Sequence, residues 1–259
     1  RCGPDRAGMT RALIAAQSGF GKSWLTQQWS EENLDKFDIV AVADYKDEYR
    51  GLCAAGKAKW AAIGDREMAL SVEGLKDLLR ENERLVLARS VGLEEWREFV
   101  AKLSTAVQQM PEDALVVIDE AHFVAPQGSS YPEPIEELAT TGRGQGVSSG
   151  WVTQRLQNLD ETIISQADTR LIGGFNSERD LKKIRPNVPY DADVHNVNAS
   201  TLSGWDRPVR RYFDGDDLVG SDWIYSTTDG DVHRIDTREL TMESTHYGGS
   251  DVALDPPGG

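Results

Sequence analysis

One glycine-containing stretch of the sequence, AAQSGFGKSW at residues 15–24, has the residue types and spacing of a phosphate-binding loop. It lies between an apolar run predicted to be a strand, residues 10–17, and a predicted helix, residues 22–33, as such a loop requires. Glycines let backbone N–H groups turn toward phosphate oxygens, and the helix N-terminus adds partial positive charge. Lys22 would then reach the β- and γ-phosphates, and Ser23 would ligate Mg²⁺.

This loop departs from the usual pattern at one position. Ala16 replaces the first glycine, which normally lies five residues before the glycine of Gly-Lys-Ser. Alanine is the smallest substitution, and it is tolerated where the backbone keeps an ordinary conformation. We therefore predict a site for ATP and Mg²⁺ formed by Ser18, Gly19, Phe20, Gly21, Lys22, Ser23 and Trp24.

A second, acidic motif follows an apolar run much later in the chain. In LVVIDEAH, residues 115–122, four apolar residues predict a buried strand that delivers Asp119 and Glu120 at its carboxyl end. Ligands of a doubly wound sheet bind at that edge. Asp119 is predicted to hold the Mg²⁺ shell through water, and Glu120 to orient the attacking water or take its proton. The two motifs together predict an enzyme that hydrolyses ATP.

Strands and helices alternate along residues 1–188, which predicts an α/β domain with a mostly parallel sheet. Apart from the strands already named, apolar strands are predicted at 37–45, 60–65, 84–90, 146–154 and 169–175. Residues 189–259 lose this periodicity and are predicted to form a small β-rich extension. It would contain a hairpin at 221–237, turned at Thr-Asp-Gly-Asp, and a loose tail at 247–259.

The composition of the chain bears on its surroundings. Forty-three acidic residues against 28 Lys and Arg give a formal charge of −15. This balance, with Arg outnumbering Lys, favours adaptation to very high salt, where screened phosphate attraction makes net charge a weak argument against nucleic acid. No apolar run approaches the ~18 residues of a spanning helix, so we expect a cytoplasmic protein without direct membrane insertion. Cys2 and Cys53 predict no disulfide framework.

Four stretches of the sequence resemble the HerA/FtsK group of RecA-like P-loop ATPases, which includes DNA pumps and viral genome-packaging motors. They are the phosphate loop, residues 43–49, the acidic motif around Asp119 and Glu120, and residues 142–175. ADYKDEY, residues 43–49, is similar to the group's Asp-x-Lys-Gly-Glu-Tyr segment, with Asp47 in place of Gly. Residues 142–175 resemble the group's run of Gly-Arg, a strand ending in Thr-Gln-Arg, a helix, and a strand with Asn-Thr-Arg, with Asp168 replacing the Asn. The resemblance covers residues 10–185 and implies a RecA-like sheet flanked by helices.

The resemblance also implies roles for residues that spacing alone does not assign. Gln154 would sense the γ-phosphate, and Thr153 would belong to the same polar network. An arginine from a neighbouring subunit would neutralise charge in the transition state, with Arg143 and Arg170 as the candidates and Arg155 as a third. A trans-acting arginine implies a homo-oligomeric ring, expected to be a hexamer.

The function implied by the resemblance is translocation or packaging of double-stranded DNA. Chromosomal members of the group usually carry an N-terminal β-barrel or membrane segment, and the sequence offers neither. We therefore expect a packaging-type ATPase of a halophilic archaeal virus, virion-associated at some stage, with a capsid, portal or nuclease partner. Two alternatives stay open: an NTPase that drives virion or secretion-complex assembly without moving DNA, and a slow regulatory nucleotide switch. A superfamily-2 helicase is disfavoured, because no Ser-Ala-Thr-like motif or second RecA-like domain follows the DEAH box.

Overall fold

The structure, a computed structural model, describes residues 10–248 of the 259-residue chain. The strands are β1 (Arg11–Ala15), β2 (Ile39–Asp44), β3 (Lys59–Ile63), β4 (Arg84–Arg89), β5 (Ala114–Ile118), β6 (Val147–Thr153), β7 (Thr169–Ile172), β8 (Arg211–Asp214), β9 (Asp217–Thr227) and β10 (Val232–Asp236). The α-helices are α1 (Lys22–Asn33), α2 (Arg50–Ala54), α3 (Asp65–Met68), α4 (Val72–Glu81), α5 (Leu93–Gln108), α6 (Glu133–Thr140), α7 (Glu161–Gln166) and α8 (Glu178–Ile184). The predicted loose tail, beyond residue 248, lies outside the described residues, as does Cys2.

The central sheet is parallel along the path β7-β1-β6-β5-β2-β4-β3. Every residue of β2, β5 and β6 is buried, because helices cover both faces of the sheet, and this explains the apolar runs of β2 and β5. The carboxyl ends of the parallel strands meet at one edge. Residues that follow β1, β2, β5 and β6 are therefore brought together although they are far apart in the chain.

Two apolar layers sandwich the sheet. On one face α4 to α8 pack through residues such as Trp96, Phe99 and Leu138. On the other face α1 and α2 pack through Trp29 and Leu52, together with side chains of β9. This arrangement confirms the predicted α/β sheet flanked by helices. None of the helices described is both long and apolar enough to cross a membrane.

The hairpin predicted at 221–237 is present as β9 and β10, and residues 228–231 form its turn. β9 pairs antiparallel with β7 and so continues the central sheet, while β8 folds back on β9. The predicted boundary at residue 188 therefore does not separate two sheets. Pairing with β9 covers the edge of β7, which would otherwise present unpaired backbone groups.

Candidate nucleotide-binding site

The phosphate loop follows β1 at the carboxyl edge of the sheet. Gly19 and Gly21 have φ values of 72° and 82°, in the left-handed region that glycine adopts without strain. Gly21 is the N-cap of α1, so the helix N-terminus faces the loop. Ala16 is buried, and its φ is not in the left-handed region. Its N–H donates to the Thr153 carbonyl at 3.3 Å. The replacement of the usual first glycine is therefore accommodated.

A cavity of about 610 Å³ opens over this loop, within the range of small-ligand sites. From the phosphate loop it is lined by Ser18, Gly19, Gly21, Lys22, Ser23 and Trp24, all predicted nucleotide contacts. Phe20 instead packs edge-to-face on Trp223, with ring centroids 5.9 Å apart, so its side chain belongs to the core. The far wall comes from the C-terminal region, which sequence reasoning had not placed there: Leu218, Val219, Gly220, Ser221, Thr237, Arg238, Leu240 and His246.

Lys22 lies at the floor of the site, and its Nζ is 3.3 Å from Asp119 Oδ1. Both side chains are buried. Burial lowers the pKa of Lys22, but the charges of Asp119, Glu120 and Glu48 outweigh it, so the net pKa is raised above its ordinary value. Lys22 thus keeps the positive charge that a triphosphate needs.

Asp119 and Glu120 follow β5 and are fully buried. Asp119 Oδ2 and Glu120 Oε2 receive no hydrogen bond from any described residue, which is rare for buried polar atoms. Carboxylate and hydroxyl oxygens suit Mg²⁺, which binds through few protein ligands together with waters and substrate phosphates. Ser23, which lines the cavity, and Asp119 therefore fit a Mg²⁺ site.

The backbone of Glu120 has φ 47° and ψ 45°, a left-handed conformation in a residue other than glycine. This turn ends β5 at Ile118, so Asp119 and Glu120 directly follow the strand. Such conformations cost on the order of 1–3 kcal/mol and occur at functional sites, where the surrounding structure holds them in place. One such strained position is thus the residue predicted to activate water.

The last residue of β2 and the segment after it make contacts that sequence reasoning missed. Lys46 Nζ forms an ion pair with Glu120 Oε1. The Tyr49 hydroxyl donates to Asp119 Oδ1 at 3.3 Å. Asp44 accepts from the backbone N–H groups of Glu48 and Tyr49 at 3.0 and 2.9 Å, and so shapes the segment. The available signal was the likeness of ADYKDEY to the Asp-x-Lys-Gly-Glu-Tyr segment.

Asp47, which replaces the glycine of that segment, has a φ of 61°. The position therefore requires the left-handed conformation that glycine adopts freely, and aspartate is among the few other residues that tolerate it. Its carboxylate also accepts from Trp60 Nε1 at 3.0 Å and pairs with Arg50. These contacts stabilise the turn without the glycine.

Gln154 follows β6, which lies between β1 and β5, and it lines the cavity, while its role toward the γ-phosphate stays a prediction. Beside it, Thr153 Oγ1 accepts from the Arg155 N–H at 3.1 Å and lies 3.0 Å from His122 Nδ1. Burial and then the charge of Arg155 lower the pKa of His122 to about 4, so the imidazole is neutral. A polar network thus joins the ends of β5 and β6.

The three candidate arginines lie in different places. Arg143 precedes β6, at the edge of the sheet opposite the phosphate loop, where it is 56% exposed and 3.6 Å from Asp168. Arg170 lies in β7 and is 5% exposed, and burial lowers its pKa. Arg155 is exposed at the same edge as Gln154. Burial disfavours Arg170 for reaching a neighbouring subunit, and a trans role for any of the three stays a prediction.

Comparisons with known proteins agree with this geometry. No protein-family model matches the chain. The DNA double-strand break repair helicase HerA of Pyrococcus furiosus is 33% identical over 89 residues, which are 34% of this chain and only 16% of that relative. Among solved structures, the genome packaging NTPase B204 of Sulfolobus turreted icosahedral virus 2, in complex with ATP-gammaS, has a TM-score of 0.60 at 15% identity. That match covers 87% of this chain and 96% of the other.

A second solved structure, EssC (ATPases 2 and 3) from Geobacillus thermodenitrificans, has a TM-score of 0.52 at 13% identity. It covers 91% of this chain and 41% of that one. These structural likenesses concern the fold, and the motifs and the site geometry supply the chemistry. The chain thus has the fold of P-loop NTPases, and over 89 residues its sequence is similar to that of HerA.

Proposed function

We propose that this ATPase couples hydrolysis to the translocation or packaging of double-stranded DNA, as a ring-shaped homo-oligomer. The observation that carries the proposal is the extent of the fold likeness to a genome packaging NTPase, 96% of that chain. The match covers 87% of this chain, which is more residues than the range 10–185 contains. It therefore includes part of the C-terminal extension as well. The likeness therefore concerns more than a generic P-loop core.

The chemistry follows from the residues around the cavity. Lys22 would neutralise charge on the β- and γ-phosphates. Ser23 directly and Asp119 through water would hold Mg²⁺, which supplies further neutralisation at the phosphoryl oxygens. Glu120, once its carboxylate turns from Lys46, would orient the attacking water and take its proton. Gln154 would hydrogen-bond the γ-phosphate or the water and so report phosphate loss.

Exposed apolar side chains beside the cavity support an oligomer. Leu218 and Val219 line the cavity and are 37% and 49% exposed, and Phe213 nearby in the β8–β9 hairpin is 52% exposed. Exposed apolar patches of this kind mark interaction sites. A second copy packed here would bury them and bring its own residues to the nucleotide, as a trans-acting arginine requires. A hexameric ring is the form that we propose.

The test is ATP turnover with and without linear duplex DNA, in dilute buffer and in molar KCl, with Glu120→Gln as the inactive control. A DNA motor is expected to turn over ATP several-fold faster with duplex at its working salt, and its mass in solution is expected to be a multiple of the chain mass. Turnover that duplex leaves unchanged at every salt concentration would overturn the proposal. Activity that rises with KCl would support a halophilic origin, which the formal charge of −15 favours.

One observation favours a second candidate. The fold is similar to that of EssC (ATPases 2 and 3) as well as to that of the packaging NTPase, so the fold alone does not assign the work that hydrolysis drives. An NTPase that drives virion or secretion-complex assembly would hydrolyse ATP without a response to DNA and would respond to a capsid, portal or other protein partner. A slow regulatory switch would differ from both, because Glu120→Gln would change its low turnover little.

A further inference from the structure

Residues 241–247, here called the C-terminal strap, cross the outer face of α1. The Glu31 carboxylate accepts from the backbone N–H groups of Glu243 and Ser244 at 2.7 and 3.0 Å. Lys57 pairs with Glu243 at 2.6 Å. Gly51 in α2 permits the close approach, because a Cβ there would lie 2.0 Å from the Thr245 carbonyl oxygen. The strap is thus held against both helices.

The hydrogen bonds under the strap fix the orientation of the Gln27 amide. Ser244 Oγ donates to the Glu31 carboxylate and therefore accepts from Gln27 Nε2, at 2.8 Å. The same Nε2 also faces the Thr245 carbonyl, which can only accept, at 3.3 Å. Since the amide nitrogen faces these two acceptors, Gln27 Oε1 is the atom that faces His246.

The orientation of Gln27 in turn fixes the tautomer of His246. Gln27 Oε1 lies 3.0 Å from His246 Nδ1 and accepts its hydrogen. A neutral imidazole carries a hydrogen on only one of its two ring nitrogens. Nε2 then carries a lone pair. It lies 3.3 Å from Ser23 Oγ, so the serine hydroxyl is the donor in this contact.

We propose that His246 is a positioning residue for the metal-ligating hydroxyl of the phosphate loop. By accepting the Ser23 O–H hydrogen, it turns the oxygen lone pairs away from the strap and leaves them available to Mg²⁺. Groups that orient metal ligands in this way typically contribute about 10- to 100-fold to metal affinity. The inference rests on ATP hydrolysis at this site and not on DNA movement. It would therefore remain valid if duplex DNA did not stimulate the enzyme.

The test uses the full chain with Mn²⁺ as the probe metal and β,γ-methylene-ATP as the nucleotide. Free Mn²⁺, followed by its paramagnetic resonance signal, gives the metal dissociation constant of the nucleotide complex. His246→Ala is expected to raise this constant about tenfold. Nucleotide affinity in EDTA, measured with a fluorescent ATP analogue, is expected to change less than about twofold, because the proposed role of His246 is to orient a hydroxyl toward the metal. His233→Ala, an exposed histidine on β10, is the matched control.

Two further variants separate positioning from folding. A glutamine amide oxygen can reach the place of Nε2, whereas an asparagine amide reaches only that of Nδ1. His246→Gln is therefore expected to keep near-normal Mn²⁺ affinity, and His246→Asn to lose it as His246→Ala does. In a Ser23→Ala background, His246→Ala is expected to cause no further loss of metal affinity, since there is no hydroxyl left to orient.

The inference is overturned if His246→Ala and His233→Ala bind Mn²⁺ equally well. It is also overturned if metal-free nucleotide affinity falls as much as metal affinity, or if His246→Asn matches His246→Gln. Should His246→Ala fail to fold, the comparison of the Asn and Gln variants decides the outcome.

Discussion

Lys46, the residue that follows Tyr45 after β2, forms an ion pair with Glu120, the residue predicted to activate water after β5. Glu120 is fully buried, and the Lys46 side chain is 37% exposed and lines the nucleotide cavity. The pair exists because β2 and β5 are neighbours in the sheet, so the segments after them meet. Lys46 thus contacts the buried carboxylate and also faces the cavity.

Replacing Lys46 with alanine is expected to lower kcat for ATP hydrolysis at least about tenfold while ATP binding persists. Once Glu120 turns to the attacking water, the ammonium is expected to stabilise charge on the γ-phosphoryl group, and losing such a group typically costs about 10²–10³-fold. Steady-state kinetics and nucleotide titration check this. Lys59→Ala is the control, because Lys59 pairs with Asn82 away from the cavity. Faster basal turnover of the Lys46 variant would instead show that Lys46 only restrains Glu120.

Mixing variants is expected to show which arginine acts in trans. Arg143→Ala and Glu120→Gln chains are each expected to be inactive. Mixed in one ring, they form interfaces that combine an intact Glu120 with an intact Arg143, so part of the activity returns. Arg155→Ala mixed with Glu120→Gln is expected to stay inactive, because Arg155 lies at the edge of its own nucleotide site. The opposite pattern of recovery would exchange the two assignments.

Asp44 is expected to make stability fall as the pH rises. Burial, and then the charge of Asp119, raise the pKa of Asp44 to about 8 in the folded chain. Between its unfolded pKa of about 4 and about 8, folding takes up a proton, so the free energy of unfolding decreases across that window. Thermal unfolding at several pH values, for the wild type and Asp44→Asn, is expected to show a flatter pH dependence in the variant. Parallel curves for the two proteins would contradict this.

Asp222 is expected to hold the C-terminal strands on the sheet. It is buried in β9 and pairs with Arg207 and with Arg234, the latter at 3.0 Å. Asp222→Asn leaves the two guanidinium groups with only the exposed Asp206 as an anionic partner, and we expect a loss of about 3 kcal/mol in the free energy of unfolding. Urea denaturation measures it, with the exposed Asp216→Asn as control. A variant as stable as the control would show that the ion pairs do not anchor the hairpin.

Many of the groups that could bind or cleave ATP can be predicted from short stretches of the sequence. The glycines before Lys22 encode the loop conformation, and the apolar run before Asp119 encodes a buried strand that ends at the ligand edge. The hairpin turn at residues 228–231 was likewise predictable, since Asp-Gly suits its backbone. Each of these signals depends on neighbouring residues only.

Contacts between distant segments were decided by the tertiary structure. Lys46 meets Glu120 across 74 residues of chain, and His246 meets Ser23 across 223. Neither contact can be predicted from periodicity or spacing in the sequence. The first depends on the order of strands in the sheet, and the second on the path of the strap over α1. The sequence by itself determined which groups could bind and cleave ATP. Only the packing of β2 beside β5, and of residues 241–247 over α1, decided which side chains hold those groups in place.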